Sequence, residues 1–189
     1  MTFGKGELKE ALGLLGTLAH REGKTLEIAV YGGSALMLLF DWRQATRDVD
    51  AVFEADKADV RRLASVVGDQ LGLPDDWLND GVKGFLSHGD RTALDLYATY
   101  PSEREPGLRV LVASPDYLFA MKCLAMRLGA VEGNGDIEDI RALAAGLGIR
   151  TARDALGMVA KFYPRARISP KTQFGLEEIF DHEPDGLTP

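Results

Sequence analysis

Apolar positions along the chain follow two rhythms. Gly6 to Glu22 carries Leu8, Leu12, Leu15 and Ala19 at helical spacing, which predicts an amphipathic helix with Gly23 as its stop. Thr25 to Tyr31 alternates instead, with Leu26, Ile28 and Val30 on one face, and predicts a core strand. Ser34 to Phe40 is expected as a short helix packed through Ala35, Leu36, Leu38 and Leu39, and Arg47 to Glu54 as a second core strand. Val60, Leu63, Val67 and Leu71 mark one side of a helix over 57–70. Gly72 to Val82 is rich in turn formers around Pro74-Asp75-Asp76-Trp77 and reads as a structured loop or short helix. Two or three further strands are expected near Gly84 to Ser87, Ala93 to Thr99 and Leu108 to Ala113. From Ser114 onward the pattern is helical. Segments open at Pro115, Ile137, Ala152 and Pro170, with Ser114, Asp136, Thr151 and Ser169 as N-caps. Strands in the first two-thirds and helices in the last third predict an α/β (α+β) fold, a mixed sheet flanked by helices with a C-terminal helical bundle. The expected boundary falls near Ser114, giving residues 1–113 and 114–189.

Composition narrows the class. A chain of 189 residues, 46% hydrophobic, can bury a core of its own. Its net charge of −7 argues against binding polyanions through the whole surface. The acid is uneven, however: between Arg141 and Lys171 the basic residues Arg150, Arg153, Lys161, Arg165 and Arg167 also occur, and Asp154 is the one acid. Such a stretch is a solvated helical face or a local phosphate-facing surface. The single cysteine, Cys123, excludes an internal disulfide framework and suits a reducing cytosol; its apolar helical setting reads as packing. Met1 to Glu10 holds no apolar signal core, and runs such as Ala35 to Phe40 are too short to span a bilayer. The expectation is a soluble cytoplasmic protein with no membrane partner.

The candidate chemistry gathers around Tyr31-Gly32-Gly33-Ser34 and Asp48-Val49-Asp50. In a strand, residues i and i+2 share a face, so Asp48 and Asp50 are expected to project together with Cα atoms about 7 Å apart. Two acids on an apolar strand are costly unless water, a partner or a cation neutralises them, and Mg²⁺ is the usual hard cation beside phosphates. Gly32 and Gly33 let the backbone approach phosphate closely, and the N–H groups opening the next helix aim at an anion; the Ser34 hydroxyl would add a donor. Lys122 lies among Leu118, Phe119, Ala125 and Met126, so it either snorkels outward or reaches a cleft holding an anion. Arg127 poses the same question. His20, His88 and His182 show no ligand spacing and read as surface or packing residues. Trp42 and Trp77 read as core or lid aromatics.

Gly33-Ser34, thirteen residues, then Asp48-Val49-Asp50 resembles the signature of the polymerase-β-like nucleotidyltransferase superfamily. The wider run Gly32-Gly33-Ser34-Ala35-Leu36 with Thr46-x-Asp48-x-Asp50 is similar to its AbiEii-type branch, which includes toxins of toxin–antitoxin systems. The resemblance implies Mg²⁺-dependent transfer of an NMP from an NTP to a hydroxyl, with two cations bridging nucleophile, α-phosphate and leaving group. It implies a third carboxylate on a later strand, for which Asp95 in Leu94-Asp95-Leu96 is the best match, ahead of Asp90, Asp80 and Glu54. It assigns Lys122 to the nucleotide phosphates and, through Asp136-Ile137-Glu138-Asp139-Ile140, Asp139 to the same site, although Val131 to Gly135 intervenes as a loop where the branch has none. Asp136 reads as the N-cap of its helix. A Lys–Asp pair that binds nothing is the alternative for Lys122 and Asp139. The acceptors implied are tRNA or a protein hydroxyl, the partner an antitoxin protein. A small-molecule (antibiotic) nucleotidyltransferase and a catalytically silent nucleotide-binding or interaction module of the same fold are the other readings.

Overall fold

The computed structural model describes residues 2–53, 55–87, 90–126 and 134–181. The fold is mixed α/β, of the α+β class. The chain divides into two compact units: residues 1–84 with 94–113, built on the sheet, and residues 85–93 with 114–189, built from helices.

In the sheet unit, helix α1 (Lys5–Arg21) follows the short strand β1 (Phe3–Gly4). Glu7 turns back so that its carboxylate accepts from the Gly4 N–H at 2.8 Å, satisfying one of the donors a helix start leaves open. The apolar stripe Leu8, Leu12, Leu15 and Ala19 is buried as expected. Close packing of α1 against the sheet depends on small residues, since a Cβ on Gly107 would collide with the Gly16 carbonyl. Strand β2 (Leu26–Val30) leads into α2 (Gly32–Leu39), followed by β3 (Ala45–Thr46), β4 (Val49–Val52) and α3 (Lys57–Leu71). Strands β5 (Leu78–Asn79), β6 (Leu94–Pro101) and β7 (Pro106–Ala113) complete a five-stranded sheet in the order β5-β4-β2-β7-β6, while β1 and β3 form a separate ribbon. The pairs β2/β7 and β4/β5 are parallel, and β2/β4 and β6/β7 antiparallel.

Three sequence expectations change here. The second core strand is shorter than expected, and Asp48 sits in a bend just ahead of β4. Leu78–Asn79 is a strand although only two residues long. It is fixed from outside: Val49 N–H donates to the Trp77 carbonyl at 2.6 Å, and the fully buried Trp77 indole donates to the Ala64 carbonyl at 2.9 Å. The strand expected at Gly84 to Ser87 is replaced by a 3₁₀ turn over Gly81–Phe85, opened where the Asn79 side chain captures the Gly81 N–H at 2.9 Å.

In the helical unit, α4 (Pro115–Ala125) packs against α5 (Asn134–Leu147), α6 (Ala152–Phe162) and α7 (Pro170–Asp181). The Thr151 hydroxyl caps α6 by accepting from Asp154 N–H, and Ser169 Oγ accepts from Thr172 N–H at the start of α7. Residues 85–93, expected with the sheet, cluster with these helices for a visible reason. Tyr163 Oη donates to the Phe85 carbonyl, Arg167 to the Leu86 carbonyl, and Ser87 N–H donates to Tyr117 Oη. Helix α5 begins at Asn134, two residues before Asp136, so Asp136 lies in its first turn and is not its N-cap. Cys123 is buried and free, and burial pushes its thiol pKa up, which keeps it an inert packing residue. Among the described residues, no helix is long and apolar enough to cross a membrane.

Candidate functional site

The sheet unit carries a polar corner where β2 turns into α2. Gly32 adopts φ +61°, a conformation that L side chains rarely take, and a Cβ there would lie 2.7 Å from Asp50 Oδ2. The carboxylate thus occupies the space that the missing side chain leaves. The Tyr31 N–H donates to the Asp50 carbonyl at 2.9 Å and ties turn and strand together. A Cβ on Gly33 would meet Arg43 Nη2 and Thr46 Oγ1, each at 3.3 Å, so these side chains cover the first turn of α2.

Asp48 joins this corner by a route that a strand argument alone misses. Asn79 is the register partner of Asp50 across the parallel β4/β5 pair, so both side chains leave the same face. The Asn79 amide donates from Nδ2 to Asp48 Oδ2 at 3.1 Å. Both carboxylates, each half-buried, therefore lie on the side that Asn79 occupies. Thr46 Oγ1 donates to the Asp48 carbonyl at 3.0 Å and shapes the bend.

Two expected members are placed elsewhere. Ser34 is buried, and its hydroxyl donates to the Tyr31 carbonyl at 2.9 Å, the i−3 bond open to serine in a helix. Its proton is directed inward, and the expected extra donor is not presented at the turn. Asp95 is exposed on β6, at the far edge of the sheet. The register runs Asp95–Val112–Val30–Ala51, so Asp95 shares a face with Ala51 and not with Asp50. Three strand spacings, roughly 14 Å, also separate it from β4. The apolar–acid–apolar context was a sound strand signal, but alternation says nothing of strand order, and order decides which acids meet.

Of the weaker competitors, Asp80 alone has a described side chain. Asp80, next to Asn79, is held by Lys57, Arg61 and Lys83 at 3.4, 3.2 and 3.1 Å. The Lys83 hydrogen bond, with Lys57 behind it, lowers its pKa from 3.8 to about 2. Glu54, Arg127, His88, His182 and the loop residues 131–133 lie outside the described residues, as does the side chain of Asp90. His20 is exposed, with Nδ1 3.4 Å from the Pro106 carbonyl. Trp77 is core, whereas Trp42 is exposed and stacks on Phe40.

The helical unit holds the second group of candidates. Lys122 Nζ donates to Asp136 Oδ1 at 2.8 Å and pairs with Asp139 Oδ2 at 2.8 Å. Asp139 is 1% exposed, so the triad is an internal ion cluster joining α4 to α5. Lys122 and Asp139, both expected at the nucleotide, meet each other as an ion pair. The structure adds that Asp136, expected at a helix cap, is the lysine's other partner.

Among the described residues, no three His, Cys, Asp or Glu side chains converge as a metal-binding group. The corner offers two carboxylates, the number by which Mg²⁺ is usually held when phosphate oxygens and water complete its octahedron. Asp50, lying in the cradle of Gly32, and Asp48, oriented by an amide, fit that donor set. The residues that sequence reasoning did not single out here are Asn79 and Arg43; Thr46 entered only as the first position of the Thr46-x-Asp48-x-Asp50 run. Their polar positions between α2 and β4, and in Leu78-Asn79-Asp80, were visible, but nothing marked them as neighbours. No family model, no curated protein and no solved structure matches the chain.

Proposed function

We propose that the chain is a Mg²⁺-dependent nucleotidyltransferase that moves an NMP unit from an NTP to a hydroxyl. The observation that carries this reading is the Asp50 carboxylate packed into the space beside Gly32, with Asp48 on the same side of the sheet. In the reaction, an acceptor hydroxyl attacks the α-phosphorus in line, its proton passes to solvent, and the bond to the departing pyrophosphate breaks. Little covalent work falls to the protein, and positioning with charge neutralisation dominates. Mg²⁺ held by Asp48 and Asp50 would supply the neutralisation. Gly32 and Gly33 allow phosphate to approach the backbone. The reading does not draw on Asp95, nor on Lys122, whose charge is matched by two aspartates in its own unit.

The test is transfer of label from α-labelled NTPs with Mg²⁺, offered total tRNA, cell protein and a purified aminoglycoside as separate acceptors. Label is expected on one acceptor class and absent with Asp48→Ala/Asp50→Ala. Transfer that persists in that variant contradicts the reading. Label on tRNA or protein supports the toxin-type role and makes a cognate antitoxin the partner to seek, whereas label on the aminoglycoside selects the antibiotic-modifying reading. A specific observation favours a second reading, a silent nucleotide-binding module: among the described residues the corner has two carboxylates, with Asp95 on the other face. Mg²⁺–NTP binding without transfer to any acceptor selects it.

A further inference from the structure

The geometry points to Asn79 as the residue that aims the Asp48 carboxylate for metal binding, a positioning residue and not a ligand; this inference rests on the Mg²⁺-dependent reading above. Among the described residues, the Asn79 amide is the one hydrogen-bond partner of the Asp48 side chain. The amide cannot serve either way round. Its Oδ1 accepts the Gly81 N–H at 2.9 Å, which fixes the oxygen on the Gly81 side and turns Nδ2 toward Asp48. Asn79 itself stands on a fixed support. Its strand is tied to β4 through the Trp77 carbonyl, and the Trp77 ring is fully buried and held by its bond to the Ala64 carbonyl.

The choice of an amide has a consequence that neighbouring Asp80 makes visible. Three cations hold Asp80, and its charge is neutralised in place. A neutral donor orients Asp48 and uses one lone pair of Oδ2 while leaving the negative charge for a cation. A lysine at position 79 would neutralise Asp48, and an aspartate there would repel it. Asparagine holds the carboxylate without either effect.

The experiment measures Mn²⁺ binding by electron paramagnetic resonance, with and without ATP, to the whole chain. The proteins compared are wild type, Asn79→Ala, Asp48→Ala and Asn79→Ala/Asp48→Ala. Loss of an outer partner of a ligand typically weakens metal binding about tenfold or more, the effect expected of Asn79→Ala. In the Asp48→Ala background the same substitution should change affinity by less than about twofold, because the group it acts through is gone. Equal loss in both backgrounds would mean a merely structural role, and no loss in either would also overturn the inference. A wild-type measurement guards against a variant that fails to fold: the Asn79 side-chain amide resonance should broaden at substoichiometric Mn²⁺, and an unchanged resonance contradicts the proposal. If wild type binds no Mn²⁺ at all, the nucleotidyltransferase reading falls with it. If Asp48→Ala weakens binding and Asn79→Ala does not, only this inference falls.

Discussion

The glycine corner of the sheet unit and the Lys122 cluster of the helical unit both present charged residues on apolar elements, yet the fold treats them in opposite ways. Lys122 meets Asp136 and Asp139, each at 2.8 Å, and Asp139 is closed off from solvent. Asp48 meets a neutral amide and stays half-buried. A charge matched by opposite charge inside one unit contributes chiefly to that unit's structure. A charge that is oriented but not matched keeps its capacity to bind. The sequence shows both as polar residues in apolar surroundings, and only the partner separates the cases.

The largest expected effect comes from breaking the cluster. Lys122→Ala leaves Asp139 buried beside Asp136 with their shared cation gone, and should cost about 3–5 kcal/mol in urea unfolding. A loss below about 1 kcal/mol would show that the cluster is not structural. Next is Gly32→Ala, which forces a left-handed residue and pushes its Cβ toward the Asp50 carboxylate. It should destabilise by about 1–2 kcal/mol and weaken Mg²⁺–nucleotide binding as well, whereas Gly72→Ala, with the same sign of φ and open space around it, should cost stability alone. Asp48→Ala should change stability by about 1 kcal/mol or less, because water can take the place of the carboxylate at the half-buried Asn79 Nδ2.

The smallest effect concerns Asp80, whose pKa is lowered in the folded chain. Its contribution is complete above its ordinary value of 3.8 and is lost as pH falls toward about 2. Acid unfolding followed by circular dichroism should therefore be shallower over that window in Asp80→Asn than in wild type. Identical slopes would show that the three cations around Asp80 add nothing.

Much of the fold could be read from periodicity. The buried stripe of α1, the alternation of β2 and the helix over 57–71 all follow from which side each residue must hide. What could not be read is what long-range pairing decides. Leu78–Asn79 is a strand because Trp77 anchors it beside β4, and two residues carry no period. Asp95 was a strand residue as expected, but its distance from Asp50 is set by strand order, which alternation does not encode. Residues 85–93 join the helices through Tyr117, Tyr163 and Arg167, none of them near in sequence. The corner itself was half legible: Gly32, Asp48 and Asp50 stood out, while Asn79, some thirty residues away from Asp48, did not.

The most direct test of the corner is calorimetric titration of each of the four NTPs into wild type and into Asp48→Asn/Asp50→Asn, with Mg²⁺ and with chelator. Nucleotide binding by wild type that requires Mg²⁺, and its loss in the paired variant, is the predicted result. Equal binding by the two proteins, or none by wild type under either condition, would contradict the claim that these carboxylates hold a cation for a nucleotide's phosphates.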